Sequence, residues 1–286
     1  MKKVIAILTS DWHLREDQPI CRTDNFWYTQ WKKVQFVSDI QRKYNIPVIH
    51  AGDLFNHWKP SPLLLSKTIK CIPDQFYTIY GNHDLPQHNV ELSYKSGVYT
   101  LIQAGKIQLL KGIHWNAPFE YDPLFESLVN VSILVWHKMT WSGIKPFPGS
   151  TDPSAQALLR KYPQYQVILT GHNHKAFATG YEGRILVNPG SITRHDADQV
   201  DHKPRVYLLY DNISVDPVYL PIEQDVISRE HIERKEQRDD RLEAFVSRLN
   251  DEWEAGISYE DNLERFFTTN EIKAPVKEII YKATET

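Results

Sequence analysis

Nine side chains able to hold a metal ion stand at the exits of five apolar runs. Asp11 and His13 follow "KVIAILTS" in "SDWHL", Asp53 closes "IPVIHAGD", and Asn82, His83 and Asp84 follow "FYTIYG" in "GNHDL". His137 closes "VSILVWH", and His172 and His174 close "QVILTGHNH". On a strand, residues two apart point to one face, so Asp11 and His13 converge where the first run ends. That is where α/β proteins place their sites, at the carboxyl ends of strands. Glycine precedes the donor at Gly52, Gly81 and Gly171, which fits a tight turn in which backbone comes close to a ligand. Each exit alone has an ordinary reading, a satisfied histidine or a simple turn. Five of them in one chain do not.

The donor types select the ion. Carboxylate, imidazole and amide oxygen together suit Mn, Fe or Zn better than Mg or Ca, which prefer all-oxygen shells. No thiolate takes part, which argues against a structural zinc site. Two divalent ions about 3.5–4 Å apart, sharing a carboxylate, can activate a nucleophile and neutralise the charge that develops on a phosphate.

The elements that must carry these residues read as an α/β chain. Apolar, β-branched runs, the last being "RILVNPG" and "RVYLLYD", interleave with helical patterns at about 26–44, 61–71 and 153–161. The last two open on Ser61-Pro62 and Asp152-Pro153, a cap followed by proline at the first helical position. Continuous apolar strands among helices predict sheets covered on their outer faces. From about residue 176 short strands follow one another, as in a hairpin-linked second sheet. Near residue 223 the pattern turns helical. "DDRLEAFVSRLNDEW" aligns Leu242, Phe245, Val246, Leu249 and Trp253 on one face, Ser258 and Asp261 resemble a cap, and a last helix starts at Pro275. The expected organisation is a catalytic domain at 1–222 and a helical segment at 223–286.

Bulk properties set the outer limits. With 286 residues, 41% apolar and 24% charged, the chain is long enough for one large core or two modest ones. No run approaches the roughly 20 apolar residues that span a bilayer. The run in "MKKVIAILTSD" stops short of the ~7–15 residues of a signal-peptide core. Cys21 and Cys71 cannot make a disulfide framework, so a reducing, cytoplasmic location is expected. The net charge of −3 is uneven: residues 1–222 carry 23 basic and 19 acidic side chains, +4, and residues 223–286 carry 10 and 17, −7. Bound cations would make the first part still more tolerant of a polyanion.

At these residues the chain resembles the calcineurin-like metallophosphoesterases, whose signature is D-x-H, G-D, G-N-H-D/E, a lone H and G-H-x-H. All five elements occur here in order, across residues 11–174. The resemblance implies an αββα fold, two mixed β-sheets flanked by helices, here with a small helical C-terminal appendage. It implies one metal on Asp11, His13, Asp53 and His174, and a second on Asp53, Asn82, His137 and His172, with Asp53 as the bridge. His83 would serve as general acid toward the leaving oxygen, and Asp84 would orient it.

Within that superfamily, "SDWHL", "AGDLF" and "GNHD" resemble the nuclease subunit of the Mre11/SbcD family, including its short phage-encoded versions. The segment after Asp53, "LFNHWKPSP", has no arginine of the kind that clamps a phosphate dianion in phosphoprotein phosphatases. The resemblance therefore implies a Mn-dependent DNA phosphodiesterase, with Mg, Fe or Zn as other ions for the two positions. A phosphoesterase for small nucleotides or generic phosphoesters is the alternative. Where nucleases of this family often carry histidine directly after G-D-L-F, this chain has Asn56 and then His57. His57, His88 and Arg194, the last in "NPGSITR", are candidate substrate contacts, and Lys138 and Lys175 candidate backbone-phosphate contacts. Trp12, Trp136 and Trp141 read as core, with base stacking as the other reading. His50 reads as structural. The partners implied are DNA, a second copy of the chain, and an SMC-like ATPase docking on the C-terminal helices, with no membrane.

Overall fold

In a computed structural model, residues 2–115, 130–147, 149–251 and 258–284 are described. They divide into two compact units, Met1–Ser228 and Arg229–Thr286. The division lies a few residues beyond the change of pattern near 223. Residues 223–228 run back along 21–23, where Thr23 N–H donates to Val226 O (3.1 Å) and Ser228 N–H to Cys21 O (2.7 Å).

The first unit holds two sheets. Strands β1 (Val4–Thr9), β2 (Val48–His50), β3 (Phe76–Thr78) and β4 (Gln108–Leu109) run parallel in a six-stranded sheet. Its other edge is β9 (Arg205–Tyr210) and β10 (Val215–Tyr219), an antiparallel pair. The second sheet has order β5 (Ile133–His137), β6 (Val167–Gly171), β8 (Arg184–Asn188), β7 (Phe177–Tyr181), with only β7 antiparallel. The hairpin expected after residue 176 thus divides. β7 and β8 close the second sheet, while β9 and β10 return to the first.

Side-chain alternation assigns the faces. Ala6, Leu8 and Ile49 of one sheet pack with Val135, Val167, Leu169 and Val187 of the other, forming the central layer. Ile7, Val48 and Phe76 face outward against helices α1 (Phe26–Tyr44), α2 (Pro62–Cys71) and α3 (Gly97–Gln103), through Val34, Val37, Leu64, Val98 and Leu101. Leu134, Ile168 and Leu186 face α4 (Ala155–Lys161) through Ala155, Leu158 and Leu159. Because both faces of each sheet are covered, its strands read as continuous apolar runs. The layering is αββα, two mixed sheets between helices.

Caps set the helix starts. Asn25, Ser61 and Ser154 each accept a backbone N–H of the first turn. For α4 the cap is Ser154, not Asp152, so the helix opens after Pro153. Helix α3 was not predicted; its seven residues, "GVYTLIQ", are too few to show a period.

The second unit contains α5 (Glu230–Asp251), α6 (Tyr259–Thr269) and α7 (Ala274–Thr284). Ser258 caps α6 as expected, accepting from Asp261 N–H at 3.1 Å. Leu263, Phe266 and Phe267 of α6 are buried with Ile272, Ile280 and Tyr281 around them. On α5, Leu242 is exposed. Phe245, Val246 and Leu249 have no described side chains, and Trp253 lies outside the described residues. Among the described residues, no helix is long and apolar enough to cross a membrane.

Candidate metal site

Strands β1, β2, β3, β5 and β6 all end at one edge of the central layer; His137 is the last residue of β5, and the other predicted donors lie in the turns that leave the remaining four. Backbone strain marks the place. Asp11, His13, Asp53 and His172 all have positive φ, at 51°, 45°, 60° and 76°. Non-glycine residues rarely adopt that region, and it is tolerated where the surroundings impose it, commonly at functional sites. Gly52, at φ 90°, passes so close to Gly81 that a Cβ would lie 2.7 Å from the Gly81 nitrogen. A Cβ on Gly81 would overlap the Asp53 carboxylate. The two glycines let the second and third motifs touch.

One half of the cluster forms around His137. Its Nε2 lies 3.0 Å from Asn82 Oδ1 and 3.3 Å from Asp53 Oδ2, and His172 Nδ1 lies 2.9 Å from the same Asn82 oxygen. His137 Nδ1–H donates to Ala51 O at 2.7 Å, which leaves Nε2 to face the cluster. A carbonyl fixing the tautomer of a metal-ligating histidine is a recurrent arrangement.

The other half forms around His13. Its Nε2 lies 3.1 Å from His174 Nε2 and 3.6 Å from Asp53 Oδ2. Asp11 Oδ1 accepts from His172 N–H at 2.9 Å, while Asp11 Oδ2 and His13 Nδ1 are buried with no hydrogen-bond partner. Asp53 therefore faces both halves. All seven predicted donors come together, and the triplets Asp53–His137–His172 and His13–Asp53–His83 are each compact enough to hold a cation.

The charge balance fits that occupant. Burial drives the Asp53 carboxyl up, but His137, His13 and His83 beside it outweigh burial and hold it well below the usual carboxylate range. Burial lowers His137, but Asp53 and Asp11 outweigh it and raise it to about 9. His172 is lowered to about 4, first by burial and then by His137. Burial also takes His13 well below its ordinary value. A largely buried pocket that favours a proton on one imidazole, and leaves a carboxylate oxygen and a ring nitrogen unpaired, suits a cation of more than one charge in that proton's place.

His83 lies beside this cluster, its ring edge-on to His13 with centroids 4.8 Å apart. Its backbone N–H donates to Asp53 Oδ1 (2.8 Å), and its Nδ1 pairs with Asn56 O (2.8 Å). Asp84 does not orient it. The two Asp84 oxygens accept from Asp53, Leu54 and Gly81 N–H (2.8, 3.3 and 3.0 Å) and from Phe55 N–H (3.2 Å). The carboxylate clamps the turn that carries Asp53, and the Asn56 carbonyl sets the imidazole. Burial, then the Asp53 charge, push Asp84 up to about 7 against those N–H bonds.

The substrate candidates fare differently. His57 is exposed and accepts from Lys59 N–H (3.2 Å). His88 lies near the site, its Nδ1 on Asn82 O at 2.9 Å. Arg194 is turned away: it is buried and donates to Val200 O (3.2 Å) and Glu223 O, while Arg22 donates to its carbonyl (2.9 Å). It ties the loop after β8 to the end of the first unit. Lys138 is 3.8 Å from Asp152, and Lys175 borders a recess with His172 and His174. Trp12 is core, its indole N–H on Thr9 Oγ1 (2.8 Å), Trp136 packs with Tyr162, and Trp141 donates to Asp152 O. His50 is core as expected, paired with Thr78 Oγ1. Cys21 and Cys71 are free thiols.

Residues missed in the sequence complete the surroundings. Trp115 lies 4.8 Å from the His172 ring and 6.0 Å from the His137 ring. Asn188, in "VNPG", donates to Asn173 O and to Lys175 O (2.8 Å), and accepts from Thr170 Oγ1 (3.1 Å), bracing the turn that carries both histidines. His195 stands beside His13 and His174. Only the "NPGS" stretch gave a signal for this loop.

A family model described as the calcineurin-like phosphoesterase superfamily domain matches residues 5–211. Among solved structures, an archaeal phosphodiesterase is 15% identical over 77% of this chain and 100% of that chain, with a TM-score of 0.44. A predicted phosphoesterase from Streptococcus pneumoniae TIGR4 is 15% identical over 79% of this chain and 95% of its own, with a TM-score of 0.38. Both likenesses are remote.

Proposed function

The chain belongs to the calcineurin-like phosphoesterase superfamily, and from that premise we propose that it is a two-metal DNA phosphodiesterase of the Mre11/SbcD type, with Mn²⁺ as its ion. The observation that carries the reading is the meeting of six donors around a seventh, the Asp53 carboxylate, which faces both halves of the cluster. Asp53 Oδ2 is 3.3 Å from His137 Nε2 and 3.6 Å from His13 Nε2. Asp11, His13, Asp53 and His174 would hold one cation, and Asp53, Asn82, His137 and His172 the other. Such ions, when bound, supply an activated water and neutralise charge on the phosphoryl oxygens.

The chain's own groups do the rest. His83 Nδ1–H donates to the Asn56 carbonyl, which aims Nε2 outward, so that the imidazolium form would give its Nε2 proton to the leaving oxygen and keep the Nδ1 one. Asp84 keeps the turn carrying Asp53 closed under the substrate. The withdrawal of Arg194 supports a diester: it removes an arginine clamp that a monoester dianion would use. The helical unit, with Leu242, Val276 and Ile279 exposed, would be the docking element for an SMC-like ATPase.

A second reading, a phosphoesterase for small nucleotides, is favoured by one observation. The recess beside His172 and His174 carries Asp196, Asp198 and Asp201 as well as Lys175, Lys203 and Arg205. Its mixed sign is a poorer match to a long polyanion.

A Mn²⁺ titration against labelled linear and circular DNA, beside a cyclic nucleotide and an aryl phosphodiester, separates the two. DNA cleavage that saturates with two Mn²⁺ per chain is expected. Turnover of the small diesters with intact DNA would replace the first reading by the second.

A further inference from the structure

The motifs account for His13 and His174 as donors in the His13 half of the site, with His83 beside them, and the structure adds a further histidine, His195. The rings of His13, His174 and His195 form a nearly equilateral triangle, with centroids 4.9 Å (His13–His174), 5.0 Å (His13–His195) and 4.9 Å (His174–His195) apart. One nitrogen from each can be chosen so that all three lie within 4.8 Å of one another. His13 and His195 are buried, at 2% and 9% exposure. His195 Nδ1 lies 3.2 Å from Thr193 Oγ1. Donation of Nδ1–H to that hydroxyl leaves the Nε2 lone pair free, as a metal ligand requires.

A carboxylate backs the triangle. Asp196 Oδ2 is 3.6 Å from His174 Nδ1 and 3.3 Å from His195 Nε2. An Nδ1–H of His174 directed at Asp196 leaves His174 Nε2 facing His13, the orientation the 3.1 Å Nε2–Nε2 approach shows. The loop bearing the dyad is anchored on both sides. Gly190 lies against the His174 backbone, where a Cβ would meet His174 O at 2.5 Å. The Gln199 side chain accepts from His195 N–H (2.7 Å) and Asp196 N–H (3.1 Å).

We propose that the loop after β8 supplies a His195–Asp196 dyad to the His13 half of the metal site, with His195 as a third imidazole donor and Asp196 as the positioning residue for His174. This rests on the two-metal reading above. It adds a donor that the five motifs do not contain and makes one cation position richer in nitrogen than the other. Nitrogen-rich shells hold Zn²⁺ and Co²⁺ more firmly than Mn²⁺, so the two positions differ in the ion they prefer.

The test is metal binding rather than turnover. Isothermal titration of the full chain with Mn²⁺ and with Co²⁺, with the Co²⁺ visible spectrum recorded alongside, is compared for wild type, His195→Ala, His195→Gln and Asp196→Asn. Two cations per wild-type chain are expected, with one position weakened about 10–100-fold in each variant and the other unchanged. The Co²⁺ spectrum should change in His195→Ala and keep its band positions in Asp196→Asn. Asp196 is half-exposed, so its variant keeps the test alive if His195→Ala fails to fold. Wild-type affinities at both positions in His195→Gln and Asp196→Asn would overturn the dyad while leaving the two-metal reading intact. A wild-type chain that binds no cation would overturn both.

Discussion

Around His137, the donors stand where strands end and are held by backbone. His137 Nδ1 is fixed by Ala51 O, and His137 Nε2 and His172 Nδ1 meet one Asn82 oxygen. Around His13, two donor atoms have no partner, and the third ring comes from an irregular loop. The first half is built by sheet geometry, which places the carboxyl ends of adjacent parallel strands side by side. The second depends on how the turn after β8 folds back, and on a carboxylate that is half in solvent. A site of this kind has a rigid position, where sheet pairing sets the ligands, and an adjustable one.

The largest effect is expected where the halves meet. Asp53→Ala removes the carboxylate facing both, so calorimetry should find neither cation and hydrolysis should fall by about 10³-fold or more, the equivalent of several kcal/mol of charge stabilisation. Retention of one tight cation would show that the halves are independent.

His83→Ala comes next. Hydrolysis is expected to fall about 10²–10⁴-fold, with cation stoichiometry unchanged. Wild-type cleavage of single- and double-stranded DNA by this variant would end its assignment as the acid.

The rigid half is also expected to carry a proton dependence. His137 is raised to about 9, because Asp53 and Asp11 outweigh its burial. Its proton competes with a cation below that pH and has left above it. Cation affinity at that half should therefore rise with pH between 7 and 9, by at most about tenfold per unit for one displaced proton. Titrations at pH 7, 8 and 9 read this directly, and a flat profile would mean that no proton is exchanged there.

The smallest effects belong to the residues that the fold leaves out. His57→Ala should change turnover by less than about twofold, as exposed substitutions do. Arg194→Ala should lower the melting temperature through about 1–3 kcal/mol of lost buried hydrogen bonding, without changing kcat per folded molecule. A tenfold rise in KM for either would restore it as a substrate contact.

Much of this was legible in the chain. An apolar run ending in Gly-Asp or Gly-His announces a strand exit, and continuous apolar strands among helices belong to sheets covered on both faces. Strand-exit logic marked the five exits without knowing which strands pair, and the resemblance picked the seven donors among them. It failed where backbone groups act. The resemblance implies that Asp84 orients His83, yet its carboxylate clamps four N–H groups while a carbonyl from Asn56 holds the imidazole. Arg194 was read as a substrate contact from its place in a P-G-S loop, but its guanidinium is turned onto carbonyls.

The sequence by itself determined the layered fold and the donors at strand exits, because burial and the two-residue period of a strand write both into residue order. Only the tertiary structure decided that the Asp53 carboxylate, expected as the bridge, faces both halves, that His195 and Asp196 stand beside His13 and His174, and that Arg194 is turned onto carbonyls. Those outcomes depend on loop paths and main-chain hydrogen bonds, which every residue can make and no residue type records.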